Sequence, residues 1–222
     1  MKNLITYTLI LFGFLEIHAQ DAVVDFKGVR KNFIEAKQIG FEVEAYHYES
    51  KDDQGKLISK GIMRMSNGNY YSSFNGEKMV INKSKGTVTV DENSKEIRYI
   101  NPQKKTKEPE MMAFPDSVFN QFKFLKKEEG LKKYEYVNKD PLTSIVKTWV
   151  YINNNYQLIK IVYFYNKNTN QEAYDAYKVV ILYKNIITAG IENSYFNIDQ
   201  YVIVKNNKPQ LNKLYANYKL LN

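Results

Sequence analysis

The chain has 222 residues, a net charge of +8 from 32 Lys and Arg against 24 Asp and Glu, and no cysteine. The lack of thiols excludes disulfide staples, thiolate metal sites and cysteine nucleophiles; a chain of this length can bury about 70% of its unfolded surface without them. Basic charge can serve nucleic acid, anionic lipid or no partner at all, and with no recognition-helix or base-stacking motif beside it no nucleic-acid role is expected.

The first stretch reads MKNLITYTLILFGFLEIHAQ. Lys2 gives a short positive start and Leu4 to Leu15 an apolar run of roughly a dozen residues, the build of a secretory signal rather than of a membrane span. Ile17-His18-Ala19 places cleavage after Ala19. With no Cys after the apolar run, no lipoprotein anchor is expected; the expected location is the periplasm. Removing residues 1–19 deletes Lys2 and Glu16, whose charges cancel. No later run approaches the ~18 consecutive apolar residues of a spanning helix. Residues 20–222 are expected to form one β-rich domain.

Asp25 to Lys37 predicts a helix, because Val24, Phe26, Val29, Phe33 and Ile34 fall close to helical spacing and Gly40 follows. FEVEAYHYES then alternates, with Phe41, Val43 and Ala45 on one face. Asp52 to Gly55 is a turn, and KLISKGIMRM is the return strand with Met63 and Met65 on one side. Ser66-Asn67-Gly68 is an Asn-Gly hairpin signal. NYYSSF, EKMVIN, GTVTV and EIRYI follow as short strands between polar turns, which is the spacing of an antiparallel meander.

A Lys-rich loop from Pro102 to Pro109 carries Lys104, Lys105 and Lys107, with Lys126, Lys127, Lys132 and Lys133 further on. These lysines are read as a solvated surface or as an anionic-membrane face. MMAFPDSVFNQFKFLKK predicts a second helix from Pro115 to Lys127, ended near Gly130, with Val118, Phe119, Phe122 and Leu125 on its apolar face. The preceding Met111, Met112, Ala113 and Phe114 are either core filler or a soft lid. LKKYEYV, IVKTWVYI, QLIKIVYFY and YKVVILYKNII return to strand, one more strand falls near Tyr201–Lys205, and an irregular Tyr-rich tail is expected from about residue 205.

The late strands are apolar on both alternating faces. Leu158, Val162 and Phe164 oppose Ile159, Ile161, Tyr163 and Tyr165; Trp149 and Tyr151 oppose Val150 and Ile152. A sheet with one wet face alternates apolar with polar. Each large side chain left uncovered forgoes about 1.5–3 kcal/mol. Both faces therefore need cover: helices on one side, a second sheet, or curvature around a cavity for an apolar ligand.

Acid–base and metal chemistry is sparse. Past residue 19 only His47 remains, and a single His without Cys cannot supply a His/Cys metal site. Asp52-Asp53 and Glu128-Glu129 are adjacent pairs in turns and read as solvated charge. No Gly-rich phosphate loop or nucleophile elbow occurs. No catalytic activity, metal or cofactor is expected.

The order of parts resembles the LolA/LolB family of periplasmic lipoprotein carriers and acceptors: a signal segment, a first helix, FEVEAYHYES, the strand led by Gly61, KMVINKSKG, EIRYINP, a mid-chain lid and a second antiparallel block, over roughly residues 22–200. Where those carriers have Arg before Pro at the turn after the Gly-led strand, this chain reads Ser66-Asn67-Gly68, and Arg64 is out of register. The resemblance implies an α+β, mainly antiparallel fold: a strongly curved, unclosed β-barrel with an N-terminal helix and a mid-chain helix as lid over an apolar cavity. It also implies a non-enzymatic carrier whose partner is an acyl lipid or a lipoprotein, with transient contact to a membrane surface or envelope proteins. Phe41, Val43, Met63, Met65, Met79, Ile81, Phe122 and Trp149 are the expected cavity or lid residues. The alternative is an envelope structural or interaction protein with the same fold and a filled interior.

Overall fold

The structure is a computed structural model that describes residues 22–33, 35–102, 116–140, 143–166, 176–206 and 208–221. The expected secretory signal, the Lys104–Lys107 cluster and Met111–Phe114 lie outside the described residues.

Helix α1 spans Ala22–Phe33. It begins earlier and ends earlier than its spacing predicts. Ala22, Asp25, Phe26, Val29 and Phe33 are its buried stripe, and Arg30 and Lys31 in its last turn complement the helix dipole. The backbone N–H of Asn67 donates to the Lys37 carbonyl at 2.8 Å, which ties the bend at 35–37 to the β2–β3 turn ahead of the sheet.

The strands are β1 (Gln38–Tyr48), β2 (Lys56–Ser66), β3 (Asn69–Phe74), β4 (Glu77–Asn82), β5 (Gly86–Asp91), β6 (Glu96–Ile100), β7 (Lys123–Glu128), β8 (Leu131–Val137), β9 (Ile145–Ile152), β10 (Leu158–Tyr165), β11 (Lys178–Ile187), β12 (Val202–Lys205), β13 (Lys208–Leu211) and β14 (Lys219–Leu221). Twelve of them make one curled, unclosed sheet in the order β14-β6-β5-β4-β3-β2-β1-β11-β10-β9-β8-β7. Two meanders, β1 to β6 and β7 to β11, meet where β1 pairs antiparallel with β11. Asn67 and Gly68 both take positive φ, 50° and 76°, the hairpin turn their sequence signals. Gly61 leaves β2 room to lie against β3, since a Cβ there would come within 2.3 Å of the Ser73 carbonyl.

The mid-chain lid helix is a correction. Among the described residues of this stretch Asp116–Phe119 is helical, labelled α2, and 123–128 is strand β7. Val118, Phe119, Phe122 and Leu125 have helical spacing, but Glu129 and Gly130 both take positive φ and fold β7 back onto β8 as a hairpin. Strand pairing overrides local helix preference here, and it covers an edge of β8 that a helix would leave bare. Phe119 and Phe122 still reach the core; Leu125, beside a register shift, is 44% exposed.

The tail is a second correction. The expected strand near Tyr201–Lys205 is β12, and past residue 205 the chain forms β13, which pairs with it as a hairpin, a 3₁₀ turn at Lys213–Tyr215, and β14, which pairs parallel with the edge of β6. A third difference is one of face. The β9–β10 register shifts between Leu158 and Lys160, so Leu158 joins Ile161 in the inner core instead of Val162 and Phe164.

Three packed clusters follow from this topology. The inner one joins α1 and Phe119 and Phe122 to Ile39, Phe41, Tyr134, Val150, Ile152, Leu158 and Ile161. Phe26 is its hub, with ring centroids 5.3 Å from Phe119, 4.6 Å from Phe122 and 5.4 Å from Tyr134. On the outer face of β4 to β6, Val80, Val88, Val90 and Ile97 pack under Ile198, Tyr201 and Val202 of the C-terminal segment. The outer face of the late strands holds the third, built on Tyr151, Val162 and Phe164.

Candidate functional site: the inner face of the first meander

Register fixes which side chains share the inner face. Phe41 pairs with Met63, Met63 with Ser72, Ser72 with Met79, and Met79 with Thr89. One step along the strands, Ile39 pairs with Met65, Met65 with Tyr70, Tyr70 with Ile81, Ile81 with Thr87, and Thr87 with Ile100. Partners across antiparallel strands point the same way, so these are two adjacent rows on one surface. At β1 the rows are dry: Ile39 and Phe41 are buried in the inner cluster. Away from β1, Met63, Met65, Met79, Ile81 and Ile100 are half-buried, while Tyr70, Ser72 and Thr87 are buried between them. The result is a shelf of thioether and aliphatic side chains that leaves the core and runs across the first meander.

Of the expected residues, Phe41, Val43, Met63, Met65 and Phe122 belong to or pack on the inner cluster. Met79 and Ile81 extend the rows beyond it. Trp149 does not join them. Its partners across the sheet are Glu135 and Val162, on the outer face, where its indole N–H donates to the Glu135 carboxylate at 2.8 Å and its ring lies T-shaped on Phe164. Tyr70, Ser72, Thr87, Thr89 and Ile100 were not singled out in the sequence. The alternation within NYYSSF and GTVTV carried that information, once the face of one residue was known.

Arg64 pairs with Gly40 on the opposite face. Its guanidinium donates to the carbonyls of Phe41 and Met63 at 2.9 and 2.8 Å and lies over the Tyr195 ring. It therefore serves the backbone of β1 and β2 and not the shelf.

The inner face of the second meander is tied to α1 by charge. Asp25 of α1 is fully buried; Lys132 donates to one carboxylate oxygen at 2.9 Å and the Tyr134 hydroxyl to the other. This pins α1 to β8 across the inner core. Burial pushes the phenols of Tyr163 and Tyr183 upward, so both stay neutral on the inner face of β10 and β11. Among the described residues no three His, Cys, Asp or Glu side chains gather where a metal could sit. Clefts open among the described residues at two places away from the shelf. One, of about 840 Å³, lies between Lys31–Gln38 and 188–190; the other, of about 640 Å³, lies between 120–123 and 135–139. Their walls carry Lys, Asn, Gln and Glu side chains and none of the Met and Ile side chains of the shelf.

No protein-family model matches the chain, and no curated protein matches it in sequence. Solved structures similar to it include a DUF1329 family protein from Desulfovibrio piger, at 10% identity and a TM-score of 0.38 over 82% of this chain and 98% of that one. A putative outer membrane lipoprotein-sorting protein domain from Vibrio parahaemolyticus is 12% identical, with a TM-score of 0.35 over 82% of this chain and 98% of that one. A LolA superfamily protein from Nitrosomonas europaea is 9% identical, with a TM-score of 0.26 over 82% and 99%. One of these neighbours is thus a LolA superfamily protein, and at these identities and TM-scores no residue and no role is carried across.

Proposed function

We propose that the protein is an exported, non-enzymatic carrier that takes up an acyl chain, free or on a lipidated partner, along the inner shelf of the first meander. The observation that carries this reading is the pair of rows on which Met63, Met65, Met79 and Ile81 remain half-buried next to the dry Ile39 and Phe41. Half-buried apolar rows beside a finished core are surface that an apolar ligand can cover. Each methylene laid on them gains about 0.8 kcal/mol. Methionine adapts to chains of different length and saturation because it has three rotatable bonds and a polarisable sulfur. A transport role in the periplasm follows from the same reading, with the leader 1–19 directing export.

The test is lipid extraction and mass spectrometry of protein purified from a membrane-containing host, followed by titration with a fluorescent fatty acid. A co-purifying acyl lipid, and probe binding weakened at least about tenfold in Met63→Asp and Met79→Asp, are expected. A second reading, an envelope structural or interaction protein with a filled interior, is favoured by the burial of Tyr70, Ser72 and Thr87 within the same rows. An empty protein that binds no probe supports that reading and overturns the first.

A further inference from the structure

The outer face of β8 to β11 carries chemistry that an acyl-binding shelf does not use. All the residues packed in its cluster come from the strands themselves or, as with Tyr177, from the residue leading into one. What lies over them is lysine. The Lys133 ammonium is 3.6 Å from the Trp149 ring centroid, Lys160 is 4.0 Å from Tyr151, and Lys147 is 4.4 Å from Phe164. Lys178 continues the series 4.3 Å from Tyr48. The ammonium groups lie over the rings; Lys133 is buried, while Lys147, Lys160 and Lys178 are half-exposed. Lys133 also meets Glu128 at 3.4 Å, and Lys184 at the end of β11 is paired with Glu44. On the outer face of these strands Glu135 is the carboxylate, and the Trp149 indole occupies it.

We infer that this face docks on an anionic lipid surface. Four strands at about 4.8 Å spacing make a basic and aromatic platform about 15 Å across. Lysines are drawn to the negative potential of an anionic leaflet, and Trp and Tyr rings settle at headgroup level. A nucleic acid fits less well. The Trp149 and Phe164 rings are T-shaped on one another at 73°, and lysines lie over them, so no ring face is left to stack on a base. The docking is independent of the acyl shelf, which lies on the other face of the other meander.

Trp149 is the chain's single tryptophan and therefore reports on this face alone. The experiment is flotation of the purified protein with phosphatidylglycerol-containing vesicles and with pure phosphatidylcholine vesicles, at low and high salt, while Trp149 emission is recorded. Salt-sensitive binding to the anionic vesicles with a blue shift of Trp149 is expected. Binding should weaken at least about tenfold in Lys147→Glu/Lys160→Glu/Lys178→Glu. The equally charged Lys205→Glu/Lys208→Glu/Lys213→Glu, on the C-terminal segment, should change it much less, with circular dichroism confirming that both variants fold. Equal loss in the two triple variants, equal binding to the zwitterionic vesicles, binding with Trp149 emission unmoved, or no vesicle binding overturns the inference. Failure of the fatty-acid titration leaves this result unaffected, and the converse holds, so the two proposals fall separately.

Discussion

The two meanders of this sheet are sealed on opposite faces. In the first, the outer face of β4 to β6 is dry under Ile198, Tyr201 and Val202, and the inner face is the half-buried shelf. In the second, the inner face is dry under α1, Phe119 and Phe122, and the outer face is roofed by lysines. A curled sheet with apolar residues on both faces needs two covers, and this chain supplies one to each half. What remains uncovered is different in kind. The shelf offers apolar contact, with the exposed Arg98 at the end of one row beyond Thr89; the late outer face offers charge over aromatic rings. The difference teaches that two-faced hydrophobicity in a strand does not by itself locate a cavity.

The comparison breaks most readily at the anchor of α1. Asp25→Ala leaves Lys132 buried without its carboxylate and should cost about 3–5 kcal/mol, read by denaturant unfolding. A loss under about 1 kcal/mol would mean that the helix does not seal the second meander. Next, Ile97→Ala in the sealed outer face should cost about 2–5 kcal/mol, whereas Met79→Ala on the shelf of the same meander should cost under about 1.5 kcal/mol. Equal costs would remove the distinction between the two faces. Lys147→Ala and Lys160→Ala should each lose about 0.5–1 kcal/mol, mostly as lost cover for the rings beneath.

The smallest effect is one of pH. Hydrogen bonds from Lys184 and Tyr46, with Lys60 at 3.3 Å, lower the Glu44 carboxyl to about 2. Its folded value lies below its unfolded one, so its contribution is complete above the usual Glu range of about 4.3 and is lost as pH falls towards 2. Glu44→Gln should flatten the acid limb of the stability curve in that window and leave the neutral region nearly parallel to the parent. An unchanged acid limb would show that the cluster joining β1, β2 and β11 does not contribute.

Much of this architecture was legible. The hairpin at Asn67-Gly68 demands two positive φ values, and few other residue pairs accept them. The alternation that put Phe41 with Val43 and Met63 with Met65 follows from the period of a strand. Three things were hidden for physical reasons. Val118, Phe119, Phe122 and Leu125 satisfy a helix and, in part, a strand, and pairing with β8 decided between them. The shift beside Leu158 turned that residue over without any Gly or Pro to announce it. Ile198 and Val202 sit in a polar, Tyr-rich tail whose destination depends on an exposed apolar face built by residues 80–97. Trp149 was read as cavity or lid lining, but its indole N–H needed an acceptor, and Glu135 provides it on the outer side.

The seam between β1 and β11 sets how the chain can be made. Gly40 finds Ile187 only after almost the whole protein has been synthesised, while each meander is built from pairings between close neighbours in sequence. The hairpins can thus close early and quickly, and joining the halves is the slow, entropically costly step. Until that step the Phe41 edge and the Tyr183 edge are both bare, so a newly made chain presents two adhesive borders. The protein's exposure to aggregation is therefore concentrated in the interval before those borders meet.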